Sequence, residues 1–203
     1  MKNSSKSFAR HVRLFKENKG VLKSSQAIRL GIHPRDLYAM KDQGVIESVS
    51  RGLYRLSSME PLSSPDLATV TLKIPQGVIC LISALAIHGI TTQIPHRVDV
   101  ALKRSSEKPR LRYPPLRFIW LSEPSFSSGI ETHAVDGHSV RVYSPEKTVA
   151  DCFKYRNKIT LEIALEALKL CRARKGSRVQ DLMKYAKIDR VERIMGPYVE
   201  ALL

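Results

Sequence analysis

The residues of this sequence that could carry out chemistry do not form a catalytic pattern. The sequence has no nucleophile elbow, no Walker loop and no Gly-x-Gly-x-x-Gly turn. A Lys-Thr pair occurs in the segment PEKT, residues 145–148, but no glycine-rich loop precedes it to hold a phosphate through backbone amides. The segment is typical of a helix N-terminus with Glu146 in the first turn. We therefore predict no catalytic residues.

A metal-dependent nuclease would require two carboxylates near one lysine. Asp99 and Glu146 are candidates, but Glu146 and Lys147 are adjacent and would point apart on a helix. The charged residues between 151 and 156 predict a solvated face or a buried ion pair. We identify no carboxylate or thiol at ligand spacing beside the histidines, which include His88, His96, His133 and His138. We therefore predict no metal site and no cofactor.

The cysteines and the hydropathy pattern indicate the compartment. Cys80, Cys152 and Cys171 each stand alone in an apolar segment, as expected for reduced core thiols. Residues 1–10 lack the apolar core of a signal peptide, and no apolar run approaches ~18 residues. We therefore predict a cytoplasmic protein that neither enters nor binds a membrane.

Basic side chains are the most informative feature of the sequence. The 203 residues include 34 Lys and Arg against 19 Asp and Glu, which gives a net charge of +15 and a pI near 10.0. Residues 1–60 carry 12 basic and 5 acidic side chains, a net charge of +7, and the other residues carry +8. Positive charge in both halves favours a polyanionic partner such as nucleic acid.

The elements that would position these charges begin with a helix-turn-helix. An initial helix is predicted for residues 8–19. The next helix should begin at Ser24 or Ser25 and end at Gly31, which tolerates a left-handed exit. A third helix should begin at Pro34, where a missing N–H costs nothing and φ is already helical.

A two-stranded wing is predicted to follow. Residues 45–49 and 53–56 alternate as strands do, and the turn between them places Arg51 in solvent beside Gly52. Helix-turn-helix and wing together form a winged helix, a fold that can bind DNA but can also serve as a protein-interaction module. The charge of residues 1–60 favours DNA.

The third helix has two distinct faces. Leu37 and Met40 are three positions apart and should face inward, so Arg35, Tyr38 and Lys41 face outward as the candidate reader of DNA. Further basic residues lie in a proline-interrupted loop from 103 to 117, which holds six basic residues and one acid. The complete predicted DNA-binding set is Ser24, Ser25, Arg35, Tyr38, Lys41, Arg51, Arg55, Lys103, Arg104 and Arg110.

The chain is predicted to be an α+β protein of two domains. Residues 1–60 form the winged helix-turn-helix, a polar link follows, and residues 61–203 form a mixed α+β domain with a helical tail. The expected elements of the second domain are a helix from Pro65, a short strand and a helix capped by Ser83, strands at 98–102 and 116–121, a hairpin turning at Asp136-Gly137, and helices beginning near Pro145, Thr160, Ser177 and Asp189.

Three segments resemble the AbiEi antitoxin family of type IV toxin–antitoxin systems, which act in abortive infection and phage resistance. They are VSRGLYRL at 49–56, LISALAIHGITTQIP at 81–95 and VYSPEKTVADCFKYRNKITLEIALEALK at 142–169. The resemblance implies an N-terminal winged helix that represses the antitoxin–toxin operon. It also implies a C-terminal domain that neutralises the toxin.

The resemblance further implies two partners and leaves alternatives open. One partner is double-stranded DNA, the protein's own promoter, at expected inverted repeats. The other is a nucleotidyltransferase-like toxin, counteracted without a stable complex. The alternatives are a regulator that acts without a toxin, a protein that holds a toxin directly, and an enzyme whose winged helix only delivers a nucleic-acid substrate. The sequence does not determine the oligomeric state.

Overall fold

The computed structural model describes residues 8–202, which divide into two compact units. The N-terminal unit contains the described residues up to Lys73 together with 134–138, and the C-terminal unit contains 74–133 and the residues from 139 onward. Most of the segment assessed for an export signal lies outside the described residues, as does Leu203. The domain boundary at residue 60 stays a prediction.

The N-terminal unit combines helices with a three-stranded antiparallel sheet in the order β1-β3-β2. In that sheet Leu22 is paired with Tyr54, and Ile46 is paired with Leu56. The described elements are α1 (Ala9–Glu17), β1 (Val21–Lys23), α2 (Ser24–Arg29), α3 (Pro34–Asp42), β2 (Ile46–Ser50), β3 (Leu53–Leu56) and α4 (Pro65–Lys73).

The apolar residues of these elements share one core. The helical period places Phe15, Ala27 and Met40 at complete burial on α1, α2 and α3. Leu22 of β1 and Leu56 of β3 close the core from the sheet. The unit therefore has the element order of a winged helix-turn-helix. Strand β1 was not predicted, because three residues are too few to show the alternation of a strand.

The C-terminal unit is built on a mixed sheet in the order β6-β5-β4-β8-β7. Strand β4 is antiparallel to β5 and parallel to β8, and β5 is parallel to β6. The described elements are β4 (Val78–Ile79), α5 (Leu81–His88), β5 (Val98–Lys103), β6 (Leu116–Leu121), β7 (Ile130–Val135), β8 (His138–Tyr143), α6 (Pro145–Lys154), α7 (Arg156–Ile159), α8 (Leu161–Arg172), α9 (Val179–Ile188) and α10 (Glu192–Glu200).

Helix α6 is the centre of this unit. It packs against α5, α8 and α9, and its residues 147–153 are all buried. The hydroxyl of Ser144 accepts a hydrogen bond from the backbone N–H of Lys147 at 3.2 Å, and Pro145 occupies the first turn. The predicted start of this helix is therefore confirmed.

The overall class and several turns agree with the sequence analysis. The protein is α+β, with N-terminal helices, a sheet and a helical tail. The β7–β8 hairpin turns at Asp136 and Gly137, whose φ angles are +50° and +74°. Helix α5 ends at Gly89, which has φ +64°. These local signals were sufficient because turn chemistry depends on adjacent residues.

Three helix boundaries differ from the prediction. Helix α5 begins at Leu81, and the hydroxyl of Ser83 lies inside it, accepting from the N–H of Asp99 at 2.9 Å instead of capping the helix. Ser177 does not cap α9, which begins at Val179. Helix α10 begins at Glu192, three residues after the predicted start at Asp189, and it continues through Pro197 because burial of its apolar face outweighs the one donor that proline removes.

Candidate nucleic-acid interface

Helix α3 holds the predicted DNA-reading face. It begins at Pro34, and Nδ1 of His33 accepts a hydrogen bond from the backbone N–H of Arg35 at 3.2 Å, which caps the helix. Leu37 and Met40 are 4% and 0% exposed and pack in the core of the N-terminal unit. The predicted inward phase of these two residues is therefore confirmed.

The opposite face of α3 is open to solvent. Arg35, Tyr38 and Lys41 are all exposed, and Tyr38 reaches 61% exposure. A guanidinium, an ammonium and a phenol can donate to phosphate oxygens, and arginine can also donate to guanine O6 and N7. The major groove of DNA is wide enough to admit a helix that presents such a face.

The turn between β2 and β3 is a second centre of positive charge. Arg51 is exposed at its tip, and Gly52, with φ +69°, supplies the left-handed conformation of the turn. The ammonium of Lys73 donates to the carbonyl of Arg51 at 2.9 Å. Burial and the charge of Lys23 lower the pKa of Lys73. Lys73 could not be predicted at the wing from the sequence, because only the tertiary fold brings α4 to the turn that holds Arg51.

Arg55 differs from the other predicted DNA-binding residues. Its side chain is only 11% exposed. Its guanidinium donates to the carboxylate of Glu47 and to the carbonyls of Met59 and Glu60, the latter two at 2.9 and 3.1 Å. These bonds use Nε and Nη1 and hold Arg55 against the wing, whereas its contact with DNA stays a prediction.

The two predicted serines lie at the start of α2. Neither caps the helix through its side chain, because the N-cap position is Lys23. The backbone N–H of Ser24 donates to the carbonyl of Gly52 at 3.0 Å, which joins α2 to the wing. Ser25 is exposed.

The basic loop contains both solvated and paired charges. Arg104, Lys108 and Arg110 are exposed and form no ion pair within residues 8–202. The ammonium of Lys103 lies 3.4 Å from Glu123. Arg104 also lines a polar cleft of about 450 Å³ in the C-terminal unit. The described loop thus offers at least three cations that no acid neutralises.

Arg117, at the end of this loop, does not belong to the solvated set. Its Nε and Nη2 atoms lie 2.8 and 2.7 Å from the two carboxylate oxygens of Asp99, which is 1% exposed. Burial raises the pKa of Asp99, and Arg117 opposes that rise. This bidentate pair joins β5 to β6 and neutralises the charge of Arg117.

A larger buried ion cluster lies at the centre of the C-terminal unit. The ammonium of Lys147, 0% exposed, lies 2.7 Å from Asp151 and 2.9 Å from Asp189. Lys154 approaches Asp189 at 3.4 Å, and Ser125 donates to the same carboxylate. The buried-ion-pair interpretation of residues 151–156 is therefore correct for Asp151. The cluster is closed by its own charges and holds α6 to the end of α9.

The structure also bears on the predicted absence of metal ligands. His88, Glu131 and His133 are close enough to share one ion. Glu131 stands only two residues before His133, but the third residue of the group, His88, comes close to them only in the fold. Separately, none of the helices in residues 8–202 combines the length and the apolar character that a membrane span requires.

Comparison with known proteins gives one family and one fold. Residues 10–57 match the family model described as "Transcriptional regulator, AbiEi antitoxin". The resemblance to the AbiEi antitoxin family is therefore confirmed for this segment, which extends from α1 to the end of β3, and the description is that of a regulator and not of an enzyme. No curated protein matches the chain.

Among solved structures, the chain is similar to the RV2827C protein from Mycobacterium tuberculosis, known from a crystal structure. The TM-score is 0.55 at 10% sequence identity, and the match covers 95% of this chain and 80% of that chain. At this identity the likeness concerns the fold alone.

Proposed function

We propose that this protein is a DNA-binding antitoxin and autorepressor. Its winged helix would bind the promoter of its own operon at inverted repeats. The observation that carries the proposal is the exposed face of α3, where Arg35, Tyr38 and Lys41 lie opposite the buried Leu37 and Met40. The family match to residues 10–57 supports the proposal, because it covers the same helices and the wing.

The expected arrangement on DNA follows from the fold. Helix α3 enters the major groove, where Arg35, in its first turn, reaches base edges. The wing places Arg51 and the neighbouring Lys73 against the phosphate backbone. Helix α2, with Ser25, crosses the phosphate backbone of the DNA on the other side of α3.

The second part of the proposal concerns the toxin. The resemblance of residues 142–169 to AbiEi antitoxins supports neutralisation of a nucleotidyltransferase-like toxin by the C-terminal unit, without a stable complex. Helix α6 contains ten of these 28 residues and is buried over residues 147–153, so its role would be to fix the surface of the unit and not to contact the toxin. The cytoplasm is the compartment that this function requires.

One experiment tests both parts. Purified protein is footprinted on its own promoter, and the gene is co-expressed with its neighbouring toxin gene. Protection of inverted repeats together with rescue of growth supports the whole proposal. Protection without rescue, or a gene without a toxin neighbour, favours the stand-alone regulator. Lack of protection at any promoter sequence rules out autorepression.

Replacing Arg35 by alanine should weaken promoter binding by about 1–3 kcal/mol and relax the preference at one base position, because a bidentate contact to guanine is lost. Titrations of the native promoter and of single-base variants measure both effects. Arg35→Lys is the matched control: it keeps the charge but not the fork, so it should also lose selectivity. Unchanged affinity and selectivity in Arg35→Ala would contradict the assignment.

Replacing Arg51 by alanine should weaken binding to all DNA sequences equally. Loss of one phosphate contact should reduce the slope of log affinity against log salt by about one unit. Arg178→Ala, which removes an exposed arginine of the C-terminal unit, is the control and should leave the slope unchanged. A change in the preferred sequence at constant slope would mean that the wing reads bases.

A further inference from the structure

Three side chains with metal-binding atoms meet at one edge of the C-terminal sheet. His88 is the last residue of α5, and Glu131 and His133 occupy alternate positions of β7. Alternate residues of a strand share a face, so both β7 side chains lie on the same side of this edge strand. The two elements are more than forty residues apart in the sequence, and the fold alone brings the three residues together.

The distances between them suit a shared ion. One ligand atom from each residue lies within 4.8 Å of the other two. Nε2 of His133 is 3.0 Å from Oε2 of Glu131, and the two imidazole rings meet edge to face with centroids 5.1 Å apart. Ligands at ~2.0–2.2 Å around a tetrahedral zinc ion are separated by about 3.3 Å. Glu131 and His133 are partly exposed, so rotation of their side chains can close the remaining gap.

The environment of His88 fixes which of its nitrogen atoms is available. Nε2 of His88 lies 2.7 Å from the carbonyl of Tyr143, which can only accept, so Nε2 carries the proton and Nδ1 keeps its lone pair. Metal-binding histidines almost always donate their second N–H to a carbonyl or a carboxylate in this manner. Burial lowers the pKa of His88, which favours the neutral ring.

A simple surface ion pair accounts for only part of this arrangement. It explains the pairing of Glu131 with His133, which are partly exposed, but not a half-buried His88 held in one tautomer beside them. Arg174 is the nearby cation, and its guanidinium donates to the carbonyl of His88 at 3.4 Å instead of bonding Glu131. Within residues 8–202, the carboxylate of Glu131 is paired with His133 and with no Lys or Arg side chain.

We propose that His88, Glu131 and His133 bind a borderline divalent transition-metal ion, of which Zn²⁺ is the best probe, with at least one coordination position open to water. Two imidazoles and one carboxylate are a ligand set for zinc, whereas Ca²⁺ and Mg²⁺ prefer oxygen ligands alone. Metal titration in the absence of DNA tests this site separately from the proposed DNA binding.

The test is calorimetric titration of Zn²⁺ into full-length protein freed of any affinity tag. One equivalent should bind to the native protein. Glu131→Gln and His133→Gln should each weaken binding by at least about tenfold, since even the loss of an outer partner costs 10–100-fold. Both residues are partly exposed, so these variants should fold. His96→Gln, a change at an exposed histidine of the same unit, is the control.

Cobalt provides a second readout. Co²⁺ should give the visible spectrum of a low-coordinate N/O site in the native protein and in His96→Gln, and this spectrum should be absent from His133→Gln. Zinc should also raise the thermal midpoint of the native protein more than that of Glu131→Gln, because an ion that binds only the folded state stabilises it. The proposal is overturned if the native protein binds no Zn²⁺, or if all three variants bind it equally well.

Discussion

Replacing the buried Lys147 by methionine should lower the free energy of unfolding of the C-terminal unit by about 3–5 kcal/mol. The ammonium of Lys147 lies between Asp151 and Asp189 at 2.7 and 2.9 Å, and none of the three side chains is more than 1% exposed. Methionine preserves most of the volume but removes the charge. Asp189 would keep Lys154 and Ser125, whereas Asp151 would lose its cation and keep only the neighbouring carboxyl group of Asp189.

The loss should depend on pH in a defined direction. Burial raises the pKa of Asp151 to about 7, and Lys147 opposes that rise. A carboxyl group with a raised pKa keeps, in the folded protein, a proton that the unfolded chain has released. The stability of the folded protein therefore falls as the pH rises from the pKa of the unfolded chain to the raised pKa of the folded state. Without Lys147 the pKa of Asp151 rises further, so the fall in stability continues above pH 7. The stability cost of Lys147→Met should therefore be larger at pH 8 than at pH 6.

Urea unfolding followed by tryptophan fluorescence measures these changes. Trp120 is the single tryptophan of the chain and lies in β6, so its signal reports on the C-terminal unit. Lys154→Met is the matched control, because this lysine is 28% exposed and 3.4 Å from Asp189, and its loss should cost less than about 1 kcal/mol. If Lys147→Met costs no more than Lys154→Met, the buried cluster does not stabilise the unit as we infer.

A double variant separates the ion pair from packing. Lys147→Met with Asp151→Leu removes the lysine together with its unpaired carboxylate, and buried ion pairs replaced by apolar side chains often leave stability unchanged. The double variant should therefore be more stable than Lys147→Met alone. An additive loss would show instead that the two sites act independently.

The features that sequence reasoning predicted correctly are local ones. The inward phase of Leu37 and Met40 follows from the helical period, and the hairpin at Asp136-Gly137 follows from the conformations that these two residues allow. In both cases the determining residues are within a few positions of one another. A period or a turn is visible without knowledge of the rest of the fold.

The features that could not be predicted from the sequence depend on residues far apart in the chain. Lys147 was correctly placed at the start of a helix, but its partner Asp189 is 42 residues later, and no pattern in the sequence joins them. The grouping of His88 with Glu131 and His133 was missed for the same reason, since His88 precedes Glu131 by 43 residues. Pairing across distant elements requires the fold.

Arg55 lies between the local features and the distant ones, because its partner is on the neighbouring strand of the same hairpin. Its charge and its position on the wing favoured a DNA contact, but Glu47 is its direct neighbour on the paired strand. A predicted hairpin register would have placed these opposite charges side by side. Here the necessary information was present in the sequence, and the interpretation of charge without register was incomplete.

Reversing the charges of the basic loop should reduce the salt dependence of DNA binding by two or more units of slope. The variant combines Arg104→Glu, Lys108→Glu and Arg110→Glu. Each phosphate contact contributes about 0.9 to the slope of log affinity against log salt, so three contacts contribute about 2.7. The expected change rests on the proposal that DNA contacts this loop as well as the wing.

The choice of residues follows from the structure. Lys103 is left in place because Glu123 already lies 3.4 Å from its ammonium, and Arg117 because it is held by Asp99. A net charge of +7 on residues 1–60 limits the number of phosphates that the winged helix alone can neutralise. The loop is the nearest set of exposed, unneutralised cations in the sequence after that segment.

A matched control distinguishes local contact from total charge. Reversal of Lys169, Lys175 and Lys184, which are exposed on the helical part of the same unit, changes the net charge by the same amount. If the loop contacts DNA, only the loop variant should show a smaller slope of log affinity against log salt. A slope smaller by two units means that raising the salt from 50 to 200 mM changes the affinity roughly 16-fold less. Equal slopes for both variants would mean that the loop charges act only through the overall field or are simply solvated. DNA binding would then be confined to α3 and the wing, and the C-terminal unit would be left to the toxin.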